Sequence, residues 1–172
     1  MPTTLPERVA RHAARTGRPL RLINLYGPTE ATIDATAHVC APDDGPRVPV
    51  GRPIHGAWVL VVDAAGEPVP DGVVGELVVG GAGLADGYLC DEPRTAAVFR
   101  RDPNVERPTE RLYTTGDRGR RRRDGALIFL GRRDSQIKLA GRRIELGEVD
   151  AALRSLPGVT EAVVHVRREG AD

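Results

Sequence analysis

Apolar residues recur along this chain mostly in short runs, which predicts several short strands and few helices. The pattern over residues 5–16 has a helical period and is followed by Gly17, so we predict a helix that ends there. Shorter helices are predicted near residues 93–100 and 145–155. Predicted strands cover residues 20–25, 57–62, 74–79, 111–115, 126–130, 135–139 and 159–166.

Glycine and proline punctuate this pattern throughout. The 172 residues include 20 glycines and 14 prolines, spread without an internal repeat. Residues 63–66 and the pair Asp124-Gly125 are typical of hairpin turns. The composition therefore favours short strands joined by turns over long helices.

Charge is balanced overall but unevenly placed. The 25 basic residues, of which only Lys138 is a lysine, offset 24 acidic ones, and a net charge of +1 excludes a strongly basic nucleic-acid binder. The basic peak spans residues 118–123, RGRRRR. We favour a solvated strand and hairpin edge protected by arginine over a phosphate-facing patch for RNA or a nucleotide, because no aromatic residue interleaves the run. We expect no nucleic-acid partner.

Cysteine usage and hydropathy bear on the compartment. Cys40 and Cys90 lie far apart and outside any Cys-x-x-Cys or Cys/His cluster, which indicates reduced, structural residues. No apolar stretch approaches the roughly 18 residues of a membrane helix, and the amphipathic N-terminus lacks a signal-peptide core. We therefore expect a cytoplasmic protein with no membrane partner.

The residues after the predicted strand 20–25 carry candidate chemistry. In the segment NLYGPTE, Gly27 would let the backbone approach a ligand, and Tyr26 could stack on a base. The Thr29 hydroxyl and the Glu30 carboxylate suit a phosphate and its Mg²⁺. Taken alone, this segment is explained better as a structural turn.

Three further segments change that interpretation. They are residues 75–89, GELVVGGAGLADGYL; residues 113–117, YTTGD; and residues 131–149, GRRDSQIKLAGRRIELGEV. In order and spacing, the four segments together resemble the AMP-forming adenylation family. The resemblance covers about residues 1–169 and is strongest to the amino-acid-activating domains of non-ribosomal peptide synthetases.

The resemblance implies an α+β fold in two parts. Residues 1–131 would be the C-terminal part of the large adenylation subdomain, including a distorted β-barrel. Residues 132–172 would be the hinge and the first part of a small α+β subdomain. The implied reaction joins an amino acid to ATP, releases pyrophosphate and passes the aminoacyl-AMP to a carrier-protein thiol. ATP or AMP, Mg²⁺ and a carrier protein with a phosphopantetheine arm are the implied cofactors and partner.

The resemblance also assigns roles to the turn residues. Asn24 and Tyr26 would hold the adenine, and Gly27 belongs to the same nucleotide-binding turn. Thr29 would bond the α-phosphate, and Glu30 would bind Mg²⁺. Thr29 and Glu30, with Arg132, make up the implied catalytic set.

Outside that turn, Asp117 would accept both ribose hydroxyls, and Phe129 would lie near the nucleotide. Arg132 would reach the ribose or a phosphate, and Asp134 would be the hinge between subdomains. A side-chain pocket for the substrate would be lined by three residues: Leu25, Ile33 and Asp34.

Some family features have no counterpart in this sequence. These are the Ser/Thr/Gly-rich phosphate loop with its lysine, the aspartate that binds the substrate amine, and the C-terminal catalytic lysine. We therefore expect a segment that carries the nucleoside side of the ATP site and is inactive alone, needing the missing N-terminal half as a partner if the enzyme is split. The alternative is a non-catalytic binding or scaffold remnant of such a domain.

Overall fold

The structure is a computed structural model that describes residues 4–45, 47–102, 111–133, 136–139 and 142–166. The chain divides into two compact units, Met1–Gly131 and Arg132–Asp172. Helices and strands both occur in each unit, so the α+β prediction is confirmed.

The first unit contains two helices, one 3-10 turn at Thr29–Ala31, and most of the strands. Its helices are α1 (Thr4–Thr16) and α2 (Glu92–Val98). Its strands are β1 (Ile23–Tyr26), β2 (Thr36–Val39), β3 (Arg52–Pro53), β4 (Ala57–Val62), β5 (Gly75–Gly81), β6 (Phe99–Arg101), β7 (Arg111–Arg121) and β8 (Leu127–Arg132), the last ending on the first residue of the second unit. The second unit continues with β9 (Gln136–Leu139), β10 (Arg142–Glu145) and α3 (Leu146–Arg154).

The helix ends follow from local chemistry. Gly17, with φ at +65°, follows α1 as predicted. The Asp91 side chain accepts a hydrogen bond from the Arg94 backbone N–H at 3.1 Å and so caps the start of α2. The prediction of a helix to residue 100 was wrong at its C-terminal end. Phe99 is extended and begins β6, because it pairs with Tyr113 in β7.

Two antiparallel sheets build the first unit. The smaller has the order β1-β2-β3, with Tyr26 opposite Thr36. The larger has the order β4-β5-β7-β6, and β8 also pairs with β7. The β7–β8 hairpin turns at Asp124-Gly125 as predicted, and β7 is about twice as long as its predicted strand. The two sheets meet at one bridge between Gly51 and Leu127.

The expected barrel does not close among the described strands. The outer edge of β4 is occupied by the chain that follows the predicted turn at residues 63–66. The Val69 backbone N–H donates to the Val61 carbonyl at 2.9 Å, and Val62 bridges to Pro68. These contacts pair the C-terminal end of that edge, at Val61 and Val62, with the segment that follows β4 rather than with β1. The strands therefore form open sheets rather than the distorted barrel that we expected.

The core centres on β5. Leu77, Val78 and Val79 are each at most 2% exposed, although successive side chains of a strand point to opposite faces. Leu77 and Val79 join one cluster with Val59, Val61 and Leu127. On the other face, Val78 joins a smaller cluster with two other residues, Val62 and Leu112. Strand β5 is therefore buried on both faces.

The second unit corrects another prediction. Residues 159–166 were expected to be a strand, but they adopt no regular structure. The β9–β10 hairpin is the sheet of this unit among its described residues, and nothing there pairs with residues 159–166. Val163 is 72% exposed, so the apolar run is not buried as a strand would need.

The arginine-rich run occupies the end of β7 and the turn into β8. Arg118 and Arg120 are exposed, whereas Arg121 pairs with Asp71 and Arg122 pairs with Asp124. Strand β7 pairs with strands on both sides, so protection of a sheet edge does not explain these arginines.

In the described part of the chain, no helix is long and apolar enough to cross a membrane.

Replacing Leu77 with alanine should destabilise the fold by about 2–5 kcal/mol, because a fully buried side chain would leave a cavity beneath both β4 and β7. Urea unfolding followed by circular dichroism measures the change. The matched control is Leu89→Ala, whose side chain is 94% exposed and whose loss should cost under about 0.5 kcal/mol. Equal effects of the two substitutions would contradict the buried position of β5.

The two free cysteines should differ in their reaction with iodoacetamide. Burial, and secondarily the Asp44 carboxylate, raise the pKa of the Cys40 thiol above its ordinary value. A raised pKa leaves less thiolate at a given pH, so Cys40 should be alkylated more slowly than the exposed Cys90 at pH 8. Its rate should keep rising at more alkaline pH. Peptide mapping by mass spectrometry across pH 7–10 tests this, and faster labelling of Cys40 at pH 8 would contradict it.

Candidate functional site

The site begins with a closed loop after β1. The Ala35 backbone N–H donates to the Tyr26 carbonyl at 2.8 Å and joins the two ends of the loop. A Cβ atom on Gly27 would lie 2.4 Å from the Ile33 carbonyl oxygen, closer than real contacts allow. Glycine at position 27 therefore lets the two sides of the loop approach.

The interior of this loop is strained. Thr29–Ala31 form a single 3-10 turn, and Thr32 and Ile33 follow it with φ at +56° and +72°. Both residues are β-branched, and left-handed backbone costs such residues about 1–3 kcal/mol each. The surrounding structure must supply contacts that hold them there.

Those contacts come from the glycine-rich segment after β5. The Thr32 hydroxyl donates to the Gly83 carbonyl at 2.6 Å, and the Ala85 backbone N–H donates to the Glu30 carbonyl at 2.9 Å. A Cβ on Gly83 would lie 3.3 Å from the Ala31 carbonyl oxygen. The second sequence segment, residues 75–89, therefore supports the first, which gives its glycines a structural role.

The third segment places Asp117 through an irregularity in β7. The pairing of β5 with β7 shifts register beside Leu77, and Gly116 has φ at +73°. The buried Thr115 hydroxyl donates to the Leu77 carbonyl and accepts from the Asp117 backbone N–H. Glu76 accepts a hydrogen bond from the Gly116 backbone N–H at 2.9 Å. These bonds fix the backbone on which the Asp117 carboxylate stands.

Tyr26, Asp117 and Phe129 come together. The Tyr26 hydroxyl donates to Asp117 Oδ2 at 2.6 Å, and the ring centroids of Tyr26 and Phe129 are 6.0 Å apart. Asp117 is 7% exposed, whereas Phe129 is 36% exposed. Three residues predicted to contact the nucleoside thus lie side by side, although they come from β1, β7 and β8.

Glu30 forms the second polar centre. It is 7% exposed, and its Oε1 accepts a hydrogen bond from the Tyr88 hydroxyl at 2.6 Å. The neighbouring Thr29 is exposed. Mg²⁺ in nucleotide sites is bound through one or two carboxylates together with phosphate oxygens and water. A single carboxylate beside an exposed hydroxyl fits that pattern, so Glu30 is suited to a nucleotide-bound Mg²⁺.

A cavity of about 170 Å³ lies behind the loop. Asp34 lines it, among the apolar side chains of Ala31, Ala35 and Val79. Leu25 and Ile33, the other two residues predicted to line a substrate pocket, are 51% and 69% exposed and are not among those lining this cavity. The structure therefore brings one of the three, Asp34, to this cavity.

The remaining predicted residues are less informative. The Asn24 side-chain amide donates to the Pro49 carbonyl at 2.7 Å, which holds it on the same face of β1 as Tyr26. Arg132 ends β8 and is partly buried. Asp134 lies outside the described residues. The side chain of Lys138 does so as well, although its backbone is in β9.

Sequence reasoning gave no role to Tyr88, Thr115 or Glu76. Each makes a hydrogen bond that positions a predicted site residue or the backbone beside it. All three did lie within recognised segments, Glu76 and Tyr88 in residues 75–89 and Thr115 in YTTGD, so the signal was present. Only the structure shows which residues Tyr88 and Thr115 bond to, because each hydrogen bond joins residues 38 or more positions apart in the sequence.

Comparisons with known proteins identify the family of the chain. A family model described as AMP-binding enzyme matches residues 3–89. Phosphinothricin tripeptide synthetase PhsC of Streptomyces viridochromogenes is 54% identical over 151 residues, which are 88% of this chain and 14% of that protein. Tyrocidine synthase 3 of Brevibacillus parabrevis is 49% identical over 160 residues, 91% of this chain and 2% of that protein.

Solved structures show the same similarity. PA1221, a non-ribosomal peptide synthetase protein containing adenylation and PCP domains, superposes with a TM-score of 0.82 at 40% identity. The match covers 94% of this chain and 33% of that one. IdnL1 superposes with a TM-score of 0.79 at 30% identity, over the same shares of both chains. The chain thus spans about a third of the length of these structures.

Substituting Gly27 with alanine should destabilise the first unit by about 1–3 kcal/mol, because the new methyl group meets the backbone of Ile33 and Ala35. Thermal or urea unfolding measures the loss. The control is Gly147→Ala, near the start of α3, where a Cβ meets nothing within 4 Å and the change should be neutral or stabilising. An unchanged stability of Gly27→Ala would show that the loop is not tightly closed.

Proposed function

Because the chain belongs to the AMP-binding enzyme family, we propose that it forms the nucleoside-binding part of an amino-acid-activating adenylation domain in non-ribosomal peptide synthesis. The complete domain would convert an amino acid and ATP to aminoacyl-AMP and pyrophosphate. It would then transfer the aminoacyl group to the thiol of a carrier protein. The PCP domain of the PA1221 structure supports a carrier protein as the partner. The proposed compartment is the cytoplasm.

The cluster of Tyr26, Asp117 and Phe129 carries this proposal. A buried carboxylate beside two aromatic rings offers an acceptor for ribose hydroxyls next to faces on which a base can stack. Tyr26 donates to one oxygen, Oδ2, and a carboxylate has about four acceptor positions, so Asp117 can accept from Tyr26 and from ribose together. Asn24, on the same face of β1, would add a hydrogen bond to adenine.

Glu30 and Thr29 would serve the phosphate end of the nucleotide. Glu30 would bind Mg²⁺, and the Thr29 hydroxyl would bond the α-phosphate. The metal would neutralise negative charge as pyrophosphate leaves, and the protein side chains would orient the phosphates for attack. No protein nucleophile is required, because the substrate carboxylate attacks phosphorus directly.

The other predicted roles remain part of the proposal. Arg132 would contact the ribose or a phosphate, and Asp134 would be the hinge about which residues 132–172 turn between the two half-reactions. Leu25, Ile33 and Asp34 would line the pocket for the substrate side chain. Asp34 has the structural support of the cavity that it lines.

A graft tests the proposed function. The chain would replace the matching 151-residue region of PhsC, and amino-acid-dependent ATP–pyrophosphate exchange would be measured. We expect exchange by the graft and at least a hundredfold loss in its Asp117→Ala variant. No exchange by a folded graft with any amino acid would contradict the proposal and favour a scaffold remnant. Carrier-protein binding that is unaffected by Asp117→Ala would favour that remnant as well.

The 172-residue chain alone should give no measurable exchange. Loss of one preorganised electrostatic donor typically costs about 10²- to 10³-fold in rate, and this sequence contains neither the phosphate loop nor the terminal lysine of the family. Calorimetry should detect at most weak ATP binding, with a Kd on the order of 1 mM, or about 4 kcal/mol. Robust exchange by the purified chain would contradict this expectation.

A further inference from the structure

Tyr88 belongs to the GYL end of the second sequence segment, to which the proposed function gives no role. Its hydroxyl donates to Glu30 Oε1 at 2.6 Å, across 58 residues of sequence. Three residues earlier, the Ala85 backbone N–H donates to the carbonyl of the same glutamate at 2.9 Å. One short segment thus contacts Glu30 at two points, its backbone and its carboxylate.

The backbone contact helps to hold the loop. Contact with the carboxylate does something different, because it selects one orientation of a side chain with three rotatable bonds. Glu30 is nearly buried, and a charge-assisted hydrogen bond from a phenol is among the stronger ones in proteins. The hydrogen bond therefore restricts the orientation of the carboxylate before any ligand arrives.

Tyr88 is itself held rigidly by α2 and β6. The Arg94 guanidinium lies 4.5 Å from the centre of its ring, and the Phe99 ring meets it edge-on at 5.9 Å. The Tyr88 backbone N–H donates to the Thr95 hydroxyl at 2.9 Å. Gly87 allows this approach, since a Cβ there would lie 2.5 Å from the Thr95 methyl group. The phenol is therefore a fixed donor, supported by the capped helix α2.

We propose that Tyr88 is a positioning residue that orients the Glu30 carboxylate for a nucleotide-bound divalent cation. The inference rests on the proposed function, because it takes Glu30 as the ligand of that cation. Tyr88 does not touch the cation or the nucleotide in this scheme. It acts by holding one carboxylate oxygen so that the group presents a fixed face to Mg²⁺.

The test measures ATP binding to the 172-residue chain by NMR titration, with and without Mg²⁺. For the unmodified chain we expect Mg²⁺ to tighten ATP binding. Glu30→Gln should abolish that enhancement. Tyr88→Phe, which keeps the ring and its contacts, should weaken Mg²⁺–ATP binding by about tenfold while changing Mg²⁺-free ATP binding less than about twofold. Leu89→Ala, an exposed neighbour, is the matched control and should change neither.

A double-mutant cycle supplies a readout that needs no ligand. The unfolding free energies of Tyr88→Phe, Glu30→Gln and the double variant should be non-additive, because Tyr88→Phe removes the hydrogen bond and Glu30→Gln removes the negative charge that strengthens it. If Tyr88→Phe fails to fold, Thr95→Val, which removes the hydroxyl that accepts from the Tyr88 backbone, is the second variant. It should weaken the Mg²⁺ enhancement in the same direction.

The outcomes separate this inference from the proposed function. Mg²⁺ enhancement that is lost in Glu30→Gln but unchanged in a folded Tyr88→Phe would overturn the inference and leave the proposed function standing. Additive unfolding energies would also overturn it. If Mg²⁺ does not tighten ATP binding to the unmodified chain, the inference is overturned too. In that case, loss of ATP binding in Asp117→Asn would still support the nucleoside site.

Discussion

Burial of β5 on both faces is the constraint from which the candidate site is built. Its Leu77 carbonyl accepts the Thr115 hydroxyl, and its Glu76 carboxylate accepts the Gly116 backbone N–H. The residues that follow β5 hold the strained loop after β1 through Gly83 and Ala85. A strand that cannot shift without exposing Leu77, Val78 and Val79 thus fixes the position of both site carboxylates.

The Asp117 and Glu30 carboxylates are held in the same way. Tyr26 donates a phenolic hydrogen bond to Asp117, and Tyr88 donates one to Glu30, each at 2.6 Å. In both pairs, donor and acceptor come from distant parts of the sequence. An arginine would neutralise the charge of a buried carboxylate. A phenol can hold the carboxylate in place and leave its charge unchanged. Such an arrangement suits groups that must still accept ribose hydroxyls or a cation.

The elements that were predicted well are those whose signal is local. Residues 57–62 are a continuous apolar run and form β4 as predicted, and Gly17 and Asp124-Gly125 mark the end of a helix and a hairpin turn. Predictions failed where the formation of a strand depends on pairing with another segment of the chain. The apolar run at residues 159–166 has no neighbouring strand among the described residues, whereas Phe99 joins β7 instead of extending α2.

The sequence by itself determined the α+β class, the adenylation resemblance and the residues predicted for the nucleotide, because these depend on residue types at fixed spacing. Only the tertiary structure decided that the sheets stay open, that Asp34 lines a cavity, and that Tyr26 meets Asp117. It also decided that Tyr88 reaches Glu30. The physical reason is that hydrogen bonds between side chains depend on distances in space, and strand pairing brings together residues that sequence spacing leaves far apart.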